Sequence, residues 1–171
     1  MNPNTGEILG MSSRPNFNPN NYQNYSVEEI NRNLPIWMNY EPGSTFKIIT
    51  LAASLEEKTI DLYKDTFYDG GSIRVENAKI KCWKAGGHGA ETFLNVVENS
   101  CNPGFVVMGQ KLGKERLFNY IEKFGFGKKT GIDLNGEASG ILFSLDKVGP
   151  VELATTAFGQ GVSVTPIHLT V

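Results

Sequence analysis

One segment constrains the fold more than any other. From Pro42-Gly43 to about Lys58, the residues Phe46, Ile48, Ile49, Leu51, Ala52, Ala53 and Leu55 cover most of a helix circumference. A helix that is apolar on nearly every side must be surrounded. The spacing therefore predicts a buried central helix with the other elements arranged around it. The chain has 171 residues, 40% of them apolar and 11% aromatic, enough for about one packed domain.

The surrounding elements alternate in type. Glu7-Ile8-Leu9-Gly10-Met11 reads as a strand after the turn formers Met1 to Gly6. Residues 14–40 are loop-like, with a short helix expected from Ser26, which has Glu29 as its capping-box partner. Residues 67–83 alternate as a β-hairpin with Glu76-Asn77 at its turn. Helices are expected over 91–99, 103–112, 114–124 and 150–158, and Thr165-Pro166 has the form of a helix start. The fold class is α/β (α+β by some conventions).

Composition excludes several partners. Sixteen basic against eighteen acidic residues give a net charge of −2, without the basic stripe that nucleic-acid binding demands. No apolar run approaches the ~20 residues of a membrane span. Two cysteines are too few for a disulfide-built miniprotein. The opening turn leads into a strand with no preceding partner, and the closing helix has no room to run before Val171. The chain is therefore expected to be a piece of a longer domain.

Two short motifs carry chemistry. In Ser44-Thr45-Phe46-Lys47 the serine and lysine are one helical turn apart, so Lys47 can approach the Ser44 hydroxyl. A hydroxyl needs a base to become a nucleophile, and burial lowers a lysine's pKa until it can serve as one. Ser-x-x-Lys alone is more often an ordinary helix start with a solvated lysine. Ser100-Cys101-Asn102 lies between two predicted helices, before Pro103. Its hydroxyl and amide can share a proton network and hold a substrate amide, although Asn before Pro also suits a plain N-cap.

Together and in this order, the motifs resemble the penicillin-recognising serine acyltransferases, whose pattern is Ser-x-x-Lys, Ser-x-Asn, Lys-Thr-Gly. Four further stretches extend the likeness: Thr5-Gly6-Glu7-Ile8-Leu9, Tyr40-Glu41-Pro42-Gly43, Thr130-Gly131-Ile132-Asp133-Leu134 and Phe158-Gly159-Gln160-Gly161. They are similar to the transpeptidase domain of class B penicillin-binding proteins, across essentially the whole chain. Cys82-Trp83-Lys84 through Gly89, and Gly149 to Ala154, look most like the sporulation-specific branch.

The resemblance implies a truncated transpeptidase fold over residues 1–171: a helical half plus part of an antiparallel sheet. The N-terminal partner strand and the C-terminal strands would be missing. It implies that Ser44 attacks the penultimate carbonyl of a D-alanyl-D-alanine stem peptide with Lys47 as base. Ser100 would relay a proton to the leaving group and Asn102 would hold the substrate amide. It implies D,D-transpeptidation in spore cortex synthesis, acylation by β-lactams, and a membrane-anchored, extracytoplasmic whole protein working beside a membrane glycan polymerase. A serine β-lactamase and a β-lactam sensor domain are the alternatives.

Lys129-Thr130-Gly131 matches the third motif by letter but precedes Gly159-Gln160-Gly161, whereas the family's active-site Lys-Thr-Gly follows it. Lys129 is therefore expected to be non-catalytic and the true third motif to lie outside this chain. Glu91 imitates a deacylating glutamate but comes before Ser100, and is expected on a helix.

Cys82, His88 and Cys101 include both cysteines and one of the two histidines, within twenty residues. Three states compete: free buried thiols, a Cys82–Cys101 disulfide favoured by an oxidising envelope, and a zinc site with Asp69 as fourth ligand from the other end of the hairpin. Zinc is the leading expectation, because a disulfide leaves His88 without a role. His168 is expected to be an exposed helix residue.

Overall fold

The computed structural model describes residues 1–171. Ser26 caps α1 (Val27–Asn31): its hydroxyl accepts from the Glu29 N–H while the Glu29 carboxylate accepts from the Ser26 N–H. α2 (Leu34–Trp37) carries Pro35 in its first turn, where no helical N–H is lost. A 3-10 turn, Gly43–Phe46, leads into α3 (Lys47–Glu56).

Two small antiparallel ribbons follow. β1 (Thr66–Asp69) pairs with β4 (Gly89–Thr92), with Asp69 opposite Gly89. Between them, β2 (Ser72–Val75) pairs with β3 (Ala78–Lys81) around the Glu76-Asn77 turn. The expected single hairpin over 67–83 is thus two nested ribbons, because β1 takes its partner from beyond β3. Thr92 and Asn95 then form a capping box at α4 (Phe93–Glu98). Three helices complete the layer: α5 (Asn102–Leu112), α6 (Lys114–Lys123) and α7 (Pro150–Thr156).

α5 packs against α3, α6 and α7. One apolar cluster joins Phe46 of the 3-10 turn and Ile49 and Ala53 of α3 to Leu117, Phe118 and Ile121 of α6. A second joins Phe93 and Val96 of α4 to Phe105 and Met108 of α5 and to Val75 and Cys82 of the inner ribbon. Each fully buried Phe or Ile contributes roughly 1.5–3 kcal/mol relative to exposure. Small residues set the helix spacing. A Cβ at Gly109 of α5 would lie 2.6 Å from Ala157 Cβ, just past α7.

Four expectations change. Residues 7–11 form no strand, and Leu9 is 70% exposed. α3 is central but not buried all round, since Ile48 is 66% and Leu55 41% exposed. Glu91 lies on β4 rather than on a helix, and is buried. His168 is buried within a 3-10 turn, Ile167–Leu169, where Thr165 and the Lys128 carbonyl hold its two ring nitrogens. No helix is long and apolar enough to cross a membrane.

Candidate active site

Ser44 stands at the turn into α3 with its side chain exposed, while Lys47, one turn on, is buried. A backbone clasp fixes this turn. Gly43 adopts φ +56° and donates its N–H to the Gly159 carbonyl at 2.9 Å. Gly159 has φ +81°, and any Cβ there would collide with the Gly43 carbonyl, so only glycine permits the approach. Gly161 N–H donates to Glu41 at 2.8 Å, and Tyr40 and Val164 exchange backbone bonds at 3.0 and 2.9 Å. Phe158-Gly159-Gln160-Gly161 thus forms the floor beneath Ser44.

The Ser100–Asn102 loop enters from the other side. Ser100 has φ +50°, a left-handed conformation unfavourable for a residue with a Cβ. Lys47 Nζ donates to the Ser100 carbonyl at 2.7 Å, to Ser100 Oγ at 2.9 Å and to Asn102 Oδ1 at 2.6 Å. Ser100 Oγ in turn donates to Ser44 Oγ at 3.2 Å. All four expected residues meet, but Lys47 reaches Ser44 through Ser100 rather than directly. Burial pulls the Lys47 ammonium down to about 8, and the nearby Cys101 and Cys82 thiols offset this only in part. The Phe105 ring, 5.1 Å from Nζ, adds an apolar wall that still tolerates a cation.

Behind this loop the side chains of Asp69, Cys82, His88 and Cys101 converge, their ligand atoms all within 4.8 Å of one another. His88 Nδ1 lies 2.9 Å from Asp69 Oδ2 and 3.5 Å from Cys82 Sγ, and Cys101 Sγ lies 3.3 Å from Asp69 Oδ2. Burial raises the Asp69 pKa, but donors from Cys82, the Gly71 N–H, His88 and Cys101 outweigh it and hold the carboxyl well below its ordinary range. Burial pushes both thiols up. The two cysteines are free, so the expected rival disulfide is not formed. Asp69 reaches this cluster from the outer ribbon, not from the hairpin that holds Cys82.

The sequence does not place two further neighbours at this site. Glu91 accepts from the Asn99 amide and lies 4.0 Å from His88 Nδ1, with its Oε2 otherwise unpartnered. Trp83 Nε1 donates to the Asn99 carbonyl at 2.8 Å, just before Ser100. Only the pairing of β1 with β4 would have placed Glu91 here. By contrast, Lys129 is exposed, and Thr130 and Gly131 are tied to Glu137, with both Thr130 bonds at 2.6 Å. That segment makes no hydrogen bond to Ser44, Lys47, Ser100 or Asn102.

Fold and site converge on one class: the chain matches the penicillin binding protein transpeptidase domain over residues 1–170 and belongs to that family. It is 67% identical over 168 residues to Stage V sporulation protein D of Bacillus subtilis, covering 98% of this chain and 26% of that protein. It is 31% identical to the peptidoglycan D,D-transpeptidase FtsI of Escherichia coli K12, covering 97% of this chain and 27% of that protein. Among solved structures it superimposes on Pseudomonas aeruginosa PBP2 in complex with WCK 5153 with a TM-score of 0.87 at 28% identity. That match covers 98% of this chain and 43% of the other. The chain spans about a quarter to a third of the curated relatives it matches.

Proposed function

We propose that this chain is the nucleophile-bearing part of a peptidoglycan D,D-transpeptidase domain, working by a serine acyl-enzyme. The observation that carries it is the proton route from Ser44 through Ser100 to a buried Lys47 whose pKa lies near 8. Neutral Lys47 takes the Ser100 proton as Ser100 takes that of Ser44. Ser44 Oγ attacks the penultimate carbonyl of a D-alanyl-D-alanine stem peptide. The C–N bond then breaks, D-alanine leaves with a proton returned through Ser100, and an acyl-Ser44 ester remains. An amine of a neighbouring stem peptide attacks that ester and restores the Ser44 hydroxyl. Asn102 holds the substrate amide, and the Ser44 N–H, at the positive end of α3, faces the oxyanion.

The likeness to Stage V sporulation protein D supports a place in sporulation, and we assign it to spore cortex synthesis. The peptidoglycan named in several relatives supports an extracytoplasmic site of action, and the reading extends to a membrane-anchored whole protein with a neighbouring glycan polymerase as partner. Penicillin-binding protein 3 of Mycobacterium tuberculosis, solved in complex with aztreonam, supports β-lactams as acylating ligands. A fluorescent penicillin should label the whole protein containing these residues and leave the Ser44→Ala variant unlabelled. Equal labelling would overturn the assignment. Rapid turnover of a chromogenic cephalosporin would favour the β-lactamase alternative, and labelling without any cross-linking of stem peptides the sensor alternative.

The same reading includes a structural zinc ion held by Asp69, Cys82, His88 and Cys101. The candidate ligand atoms of the four side chains all lie within 4.8 Å of one another, close enough to be drawn into one tetrahedral shell. Four protein ligands would leave no open position, so the ion would brace the Ser100–Asn102 loop and take no part in the chemistry. Elemental analysis of protein purified without chelator should find about one zinc per chain; less than about a tenth, with two titratable thiols, would exclude it.

A further inference from the structure

The inner ribbon is sorted by charge. Ile73, Val75 and Ile80 turn toward the core. The opposite side carries Arg74 directly across from Lys79 and Ser72 across from Lys81, with Lys84 just beyond. Arg74, Lys79, Lys81 and Lys84 are all exposed, and none of them forms an ion pair, although the chain has eighteen acidic residues. Like charges placed directly opposite one another weaken a ribbon. A bound anion would offset that cost.

This face lines a groove. Ser72, Lys79, Lys81, Trp83 and Lys84 surround a cleft of about 380 Å³, a size suited to a short peptide segment. Trp83 is part of its wall. Its indole is 66% exposed yet held in place, donating to the Asn99 carbonyl at 2.8 Å and meeting His88 edge-on at 5.4 Å. Asn99 immediately precedes Ser100. Trp83 is therefore shared between the groove and the segment that leads into the reacting loop.

We propose that this groove holds the carboxylate-bearing part of an uncross-linked stem peptide, with Lys79, Lys81 and Lys84 against its free carboxylates and Trp83 against its backbone. The inference rests on the transpeptidase reading. It adds a specificity to it: the protein discriminates stem peptides whose carboxylates are free from those in which they are amidated. The Trp83 tie to Asn99, the residue before Ser100, favours a peptide that also reaches Ser44 over an anionic membrane, which would need no link to the site.

The test is calorimetric binding of soluble uncross-linked muropeptides, in free-carboxylate and amidated forms, to the wild type and to a Lys79→Gln/Lys81→Gln/Lys84→Gln variant. The variant should melt with the wild type, because its three side chains are exposed. The wild type should bind the free-carboxylate form about tenfold more tightly than the amidated form, with the difference shrinking as salt is added. In the variant the preference should vanish. Equal affinities for the two forms in the wild type, no measurable binding, or an undiminished preference in the variant would each overturn the proposal. Vesicles containing phosphatidylglycerol form the control arm. If the variant loses vesicle binding but keeps the muropeptide preference, the face contacts lipid and the proposal fails. Penicillin labelling of the wild type, scored separately, reports on Ser44 alone, so failure of the transpeptidase reading is distinguished from failure of the groove.

Discussion

The hydroxyls of Ser44 and Ser100 lie 3.2 Å apart, with Ser100 the donor. Lys47 bonds to Ser100, so the nucleophile and its base communicate through a second serine. Ser100→Ala should therefore slow acylation by a fluorescent penicillin by about 10²–10⁴-fold, the usual worth of a positioned proton-transfer group. A loss below tenfold would show that Lys47 can reach Ser44 unaided.

Lys47 acts as base only when neutral, so acylation should rise with pH and level off above about 8. Lys47→Arg, which cannot lose its proton, should remain inactive across that range. The sign for stability is fixed by the same shift. The folded pKa lies below the ordinary 10.5, so the unfolded chain binds more protons between the two values. This group therefore makes the fold more stable as pH rises from about 8 to 10.5. A flat rate profile between pH 6 and 9 would contradict the assignment of Lys47 as base.

Gly159→Ala should be among the most damaging small substitutions. It adds a Cβ against the Gly43 carbonyl at a residue with φ +81°. A loss of about 2 kcal/mol or more is expected, read as a fall in Tm of roughly 5 °C. Because Gly43 adjoins Ser44, acylation of the surviving folded protein should fall as well.

The Lys129-Thr130-Gly131 segment separates letter from role. Lys129→Ala should leave acylation near the wild-type rate and stability within about 0.5 kcal/mol. Glu137→Ala should instead cost roughly 1–3 kcal/mol, because it strands the Thr130 and Gly131 donors that the buried carboxylate satisfies. Thermal melting with parallel penicillin labelling distinguishes the two outcomes.

What was legible in the chain was mostly local. The capping box at Ser26 and Glu29, the Glu76-Asn77 turn and the helices from α4 to α7 depend on neighbours within a few residues, and they form within two residues of their expected bounds. The strand at 7–11 failed because alternation alone supplies no partner to pair with. Glu91 was misplaced because its strand pairs with β1, about twenty residues upstream. The Lys47–Ser100 contact spans fifty-three residues, and only the motif order, not any periodicity, pointed to it. Asp69 sits at the end of β1 opposite Gly89, two residues before Gly71, whose carbonyl accepts from the Cys82 N–H, so the outer and inner ribbons together bring it near Cys82.

The close approach of Gly109 to Ala157 turns α5 into a lever. α5 begins at Asn102, and Gly109 sits seven residues along it, about 10 Å away by helical rise. Ala157 leads straight into the glycine floor beneath Ser44. Added bulk at this fulcrum would tilt α5 against α7 and swing Asn102 and Ser100 relative to Ser44, with the displacement growing along the arm. The gap between the two hydroxyls is in this sense a gauge of how closely two helices cross some distance away, and a methyl group at that crossing can detune the reaction without touching any residue that performs it.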